Sequence, residues 1–144
     1  MATFSEIRDR IKVVGERAEG VTVVTHPGES PPVIATGRAA LVVQEPEVTF
    51  AEGESRRGLD QWDVPLLLLV PFGDYALVPD ALEPYLARAG VKSIRQAFAD
   101  DQSLGLLDGT RAYLDRADQY GPRASTDGTQ LAGVVLHLVV RTSG

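Results

Sequence analysis

The chain has 144 residues, of which 44% are hydrophobic and 24% charged, a balance that fits one folded core and neither a disordered nor a fibrous chain. It has no cysteine, which excludes disulfides, thiolate metal sites and a cysteine nucleophile. Twenty acidic residues against 14 basic ones give a net charge of −6, and such a surface repels phosphate at long range, so tight nucleic-acid binding is not expected.

From Phe4 the apolar residues Phe4, Ile7, Ile11, Val14 and Ala18 recur at helical spacing, with charged residues mostly on the other side. This spacing predicts a helix over 3–19, with Thr3 or Ser5 as N-cap and Gly20 ending it. The same charged segment, over 1–10, lacks the apolar stretch of a signal peptide. The longest apolar run, over 64–72, falls well short of the roughly 18 residues of a membrane span and contains two prolines, so the protein is expected to stay where it is made.

Short β-prone runs follow over 21–25 and 33–36, separated by a loop over 26–32 that holds three prolines and Gly28. Runs over 39–44, 47–52 and 59–72 carry Val, Phe, Trp and Leu at strand density. The last two predict a long hairpin with a charged tip over 53–58. Val64, Leu66, Leu68, Val70 and Phe72 line one face of the last run, which reads as a central, mostly buried strand. Pro65 places the beginning of that strand at an edge or a bulge.

A second helix is predicted over 79–89, started by Pro79 and weakened or kinked by Pro84. After Gly90, Ser93 and Gln96 form a capping-box pattern ahead of a helix of about two turns, with Ile94, Ala97 and Phe98 as its apolar stripe. Strands over 110–120 and 130–142 should pair antiparallel across a turn region over 121–128 that contains Asp127-Gly128. No internal repeat or linker divides the chain, and the expectation is a single α+β domain over 1–144.

Reactive side chains find structural explanations. His26 and His137 belong to no metal-binding motif, and His137, alternating with apolar neighbours, reads as a hydrogen-bonded histidine at a sheet surface. No serine sits in a GxSxG elbow and no glycine run cradles a phosphate, so neither a catalytic residue, a metal nor a cofactor is assigned. Asp100-Asp101 reads as a solvated helix end. Asp60, Asp63 and Asp74 flank the buried strand and could meet at one sheet edge, the best enzyme hypothesis the sequence offers. As interaction residues the sequence offers the hairpin tip, Glu52, Glu54, Arg56 and Arg57, and the proline-rich loop with His26 and Glu29, since binding is commonly supplied by loops on a rigid scaffold.

The amphipathic first helix, the Pro31-Pro32 loop, Gly58-Leu59-Asp60 leading into the strand from Trp62, Leu82-Glu83-Pro84-Tyr85-Leu86 and Leu136-His137-Leu138-Val139-Val140 follow one another in an order that resembles the tail terminator proteins of long-tailed bacteriophages, particularly variants from phages of actinobacteria. The most specific stretch runs from Tyr85-Leu86-Ala87 through Ser93-Ile94-Arg95-Gln96-Ala97 to Ser103-Leu104-Gly105. The resemblance spans almost the whole chain and implies a mixed, mainly antiparallel sheet covered on one face by helices, with an extended hairpin, and no catalysis. It further implies a homo-oligomeric ring, usually of six subunits, in the neck of the virion and assembled in the host cytoplasm. Such a ring ends polymerisation of the tail tube protein and docks a head completion or connector protein. The negative net charge would then keep DNA passing through the lumen from sticking. Another connector or tail completion subunit is the near alternative. The rival of a different class is a small-ligand module or hydrolase whose pocket, lined by the 64–72 strand, holds Asp60, Asp63 or His137. A third class is a regulatory or immunity-type partner protein, which would form a one-to-one complex.

Overall fold

The computed structural model describes residues 3–25, 34, 38–50, 59–71, 78–106, 109–124 and 128–143. Their order is α1 (Phe4–Gly15), β1 (Val21–Val24), β2 (Ala39–Val43), β3 (Glu47–Thr49), β4 (Leu59–Pro71), α2 (Val78–Leu86), α3 (Ile94–Asp100), β5 (Arg111–Ala124) and β6 (Gln130–Ser143). The strands make one six-stranded sheet in the order β1-β2-β4-β6-β5, with β3 pairing the first part of β4. Only β1 and β2 run parallel, so the fold is α+β with a mixed, mainly antiparallel sheet.

The centre of the sheet is the β4–β6 pair, continuous from Leu59 opposite Ser143 to Pro71 opposite Leu131. Val64, Leu66, Leu68 and Val70 share one face with Ala132, Val134, Leu136, Leu138 and Val140, as strand alternation requires. Against this face pack Ile7, Ile11 and Val14 of α1, Leu82 and Tyr85 of α2, and Ile94 and Phe98 of α3, so all three helices contribute to one main core on one side of the sheet. Each fully buried aliphatic side chain contributes roughly 1.5–3 kcal/mol relative to exposure. On the opposite face a small apolar cluster of Ala40, Leu69 and Leu131 is joined by Ile34, Val42 and Leu67.

Pro65 sits where a proline does least harm. The beginning of β4 is not an edge: it pairs with β3 on one side and β6 on the other. Beside β4, however, the β3 ladder covers residues 61–63 and the β2 ladder 66–69, and Pro65 falls in the break between them, where its carbonyl accepts the Gln44 N–H at 2.9 Å. Proline forfeits only the reciprocal bond to the Gln44 carbonyl, at the point where the β2 ladder ends.

The first helix is shorter than expected. Thr3 caps it by accepting the Glu6 N–H, but regular helix stops at Gly15, and turns carry the chain to Gly20 at φ +79°. A Cβ on Gly15 would lie 2.8 Å from Cγ2 of Val23, so glycine lets α1 come down close onto β1. Pro84 does not end α2, which runs two residues past it. Ser93 caps α3 as expected by accepting the Gln96 N–H, while the Gln96 side chain accepts the Gly90 N–H instead of closing the box on Ser93. Strand β5 is longer than expected and absorbs Gly121-Pro122, because two register shifts, at Leu114/Arg116 and Asp118/Gly121, let it stay paired with β6. The second bulge holds Gln119 at φ +59°, and its carbonyl accepts from Arg123 Nη2 at 2.9 Å.

Candidate functional site

Three places on the sheet concentrate polar chemistry: its two edges and the strip around His137. At the β1 edge, Lys12 and Glu16 lie one turn apart on α1 and its C-cap, so both side chains point toward the same neighbour. They form an ion pair at 3.0 Å, and together they close the outward backbone of Val23. The Val23 N–H donates to Glu16 Oε2 at 3.1 Å, and Lys12 Nζ donates to the Val23 carbonyl at 3.2 Å. Burial pushes the Glu16 carboxyl up, but the Val23 N–H and the Lys12 ammonium outweigh it and hold the group below its ordinary value of 4.5.

On the face away from the helices, His137 lies between two carboxylates. Alternation puts Asp63, His137 and Arg116 on this face, and Asp118 follows Arg116 by two residues. His137 Nε2 is 2.9 Å from Asp118 Oδ1, and Nδ1 is 3.5 Å from Asp63 Oδ1. The Asp63 Oδ1 and His137 Nδ1 atoms are buried and make no formal hydrogen bond. A ring protonated on both nitrogens serves both carboxylates, whereas a ring protonated on one serves only one. The His137 hydrogen bond, with the Arg116 guanidinium 3.6 Å away, holds the Asp118 carboxyl below its ordinary value of 3.8. The arrangement ties β4, β6 and β5 together, and both ring nitrogens are directed at the chain's own carboxylates.

At the β5 edge the strand pairs with β6 alone among the described residues. Its beginning is closed by the turn after α3, whose Gln102 carbonyl accepts the Ala112 N–H at 2.6 Å. Further along, a cleft of about 250 Å³ opens between β5 and the helices, lined by Leu86, Arg95, Leu114, Asp115, Arg116 and Tyr120 among others. Tyr120 is half-exposed.

Sequence similarity adds nothing to this geometry. No model of a known protein family matches the chain, and no characterised protein is similar enough to count as a relative.

The expected residues are distributed unevenly over these places. His26, Glu29, Glu52, Glu54, Arg56 and Arg57 lie outside the described residues, as does Asp74. Asp60 and Asp63 are separated by an odd number of positions on one strand, so they point to opposite faces and do not form a carboxylate centre. His137 is the hydrogen-bonded sheet histidine the alternation predicted, although buried rather than merely at the surface. Asp101 is more than a solvated helix end. Its burial is offset by Ser103 Oγ, Arg17 and the Gly105 N–H, which together hold it below 3.8 and pin the 101–105 turn. The sequence reading missed the Lys12–Glu16 cover over β1, although the i, i+4 spacing was a visible signal, and it missed the cleft, whose walls come from α2, α3 and β5. Among the described residues no helix is long and apolar enough to cross a membrane, and no group of three metal-ligating side chains is present.

Proposed function

We propose that the chain is a non-catalytic subunit of a ring that ends a phage tail tube and offers a docking surface to the head connector. One observation carries the assembly part of this reading: among the described residues the two sheet edges are unlike, one capped by side chains at Val23 and the other long and without a second strand partner. Unlike surfaces favour head-to-tail contacts, and head-to-tail contacts make a ring when the rotation per subunit closes. The tail-terminator part rests on the resemblance described above. Its most specific stretch, from Tyr85 to Gly105, covers the end of α2, all of α3 and the turn after it, and is held by Arg10 of α1 on the Leu104 carbonyl and by Arg17, in the turn after α1, on Asp101.

The partners in this reading are copies of the chain, a tail tube protein and a head completion protein, and the place of action is the virion neck. Electron microscopy of tube subunits polymerised with and without the protein tests it. Tubes of arrested length with a ring at one end are expected, and tubes that grow unaltered, without a terminal ring, would sink the proposal. A ring that binds a head connector but leaves tube growth untouched would assign the chain to the neighbouring connector or completion class.

A further inference from the structure

Arg111 of β5 and Arg141 of β6 stand directly opposite each other, on the sheet face away from the helices, since their neighbours Ala112 and Val140 point into the main core. Both are exposed. Like charges in directly opposed ladder positions repel, and among the described residues no carboxylate forms an ion pair with either arginine. Arg111 donates to the Thr110 carbonyl at 3.1 Å, and Arg141 lies over the Tyr113 ring, 6.0 Å from its centroid. Asp63, two positions along β4 from the residue opposite Arg141, lies 3.5 Å from His137 instead. Arg116, by contrast, is engaged by Asp115 and Asp118.

The opposite outer surface of the molecule carries the reverse charge. Helix α2 packs on β4, β5 and β6 through Leu82 and Tyr85, and it turns Pro79, Asp80, Glu83 and Pro84 to solvent. Among the described helices it alone has no lysine or arginine: α1 has Arg8, Arg10 and Lys12, and α3 has Arg95. Asp80 and Glu83 form no ion pair among the described residues. Three residues apart on a helix, they have Cβ atoms about 5–6 Å from each other. Directly opposed strand residues such as Arg111 and Arg141 have theirs about 4.5–5.5 Å apart, so the two pairs match in spacing as well as in sign. Within one chain the sheet lies between them. Complementary patches on opposite sides of a subunit form a heterologous pair, the kind that joins copies head to tail.

We propose that α2 of one copy docks on the helix-free sheet face of the next, with Asp80 and Glu83 paired to Arg111 and Arg141. The planar guanidinium fork suits a carboxylate, and the contact also relieves the repulsion that the two arginines carry in the isolated chain. Exposed ion pairs are individually weak, so these set the orientation and register of the copies more than the tightness of the joint. The contact rests on the reading of the chain as an assembly subunit and names the surfaces through which its copies join.

Charge reversal tests it. Asp80→Lys/Glu83→Lys makes both surfaces positive, and Arg111→Glu/Arg141→Glu makes both negative. Each variant alone, beside tube subunits at low salt, should lose self-association several-fold by light scattering. An equal mixture of the two should recover it, because every α2 then finds a sheet of opposite sign on the other variant. Circular dichroism verifies that both fold, and added salt should weaken wild-type assembly in the same direction. Undiminished assembly of either variant, a mixture that stays dissociated, or wild-type assembly indifferent to salt would overturn the contact while leaving the assembly reading standing. DNA binding that Arg111→Glu/Arg141→Glu abolishes without affecting assembly would overturn it too, and would assign the arginine pair to phosphate. A wild-type chain that stays monomeric at every concentration, alone and beside tube subunits, would sink both readings.

Discussion

At β1 the sheet ends on four residues whose outward groups at Val23 are taken by Glu16 and Lys12. At β5 it ends on fourteen residues, closed among the described residues at the start, where Ala112 bonds Gln102, and interrupted by two register shifts further on. Unpaired strand edges invite indiscriminate pairing, and proteins blunt them by covering them or by bending and charging them. Here β1 is covered at Val23. Strand β5 is guarded by bulges and by Asp115, Arg116, Asp118 and Arg123, which discourage a flat partner strand. The difference lies in what closes each edge: side chains of α1 and its C-cap at β1, bulges and strand charges at β5.

The most damaging way to break this comparison is to remove the support both edges share. Leu138 is fully buried in the central pair, and Leu138→Ala should cost about 2–5 kcal/mol through lost burial and a residual cavity. Urea denaturation measures it, and hydrogen exchange should show β1 and β5 loosening together. If only one edge responds, they do not hang on a common spine.

A smaller loss is expected at the tie between the spine and β5. His137→Ala removes the hydrogen bond to Asp118 and the ring beside Asp63, and should lower stability by less than Leu138→Ala in the same urea experiment. Exchange protection should fall in β5 and stay unchanged in β1, which separates a local tie from a global one.

Uncovering β1 tests the comparison most directly. Lys12→Ala with Glu16→Ala leaves the Val23 N–H and C=O without their partners, which should cost about 1 kcal/mol. The variant should also self-associate with concentration, read by light scattering, because a second open edge has been created. By contrast, Asp115→Ala on β5 removes only an exposed ion pair and should shift stability by less than about 1 kcal/mol.

Acid should act in the same order on a finer scale. The carboxyls of Glu16, Asp101 and Asp118 all lie below their ordinary values of 4.5, 3.8 and 3.8 in the folded state. Each therefore contributes stability that is complete above its ordinary value and disappears as pH falls through the lower, folded value. Stability curves should fall below about pH 4.5, and Glu16→Gln should flatten the first part of that fall. An acid limb that Glu16→Gln leaves unchanged would place the β1 cover elsewhere.

Much of the fold was legible because periodicity survives in one dimension. Ile7, Ile11 and Val14 announce the buried face of α1, and Val64, Leu66, Leu68 and Val70 announce the face of β4 they occupy. The end of α1 was less legible, since Ala18 keeps the apolar spacing and is buried although regular helix has already stopped at Gly15. The extension of β5 through Gly121-Pro122 was hidden for a similar reason: bulges depend on what the partner strand offers, and a glycine-proline pair viewed alone reads as a turn. Of the candidate sites, His137 was recognisable as a hydrogen-bonded strand residue, but its partners Asp63 and Asp118 come from two other strands whose register no local pattern fixes.

By itself, then, the sequence determined the α+β class, the helix cap at Ser93 and the two apolar faces of the central strands, because each follows from spacing along a single element, while the choice of Thr3 over Ser5 as the first cap came from the structure. Only the tertiary structure decided that Asp60 and Asp63 part to opposite faces, that Lys12 and Glu16 close β1, and that α2, α3 and β5 leave a cleft on the other side. Those outcomes depend on strand order and register, which are set by how the whole apolar surface is buried at once.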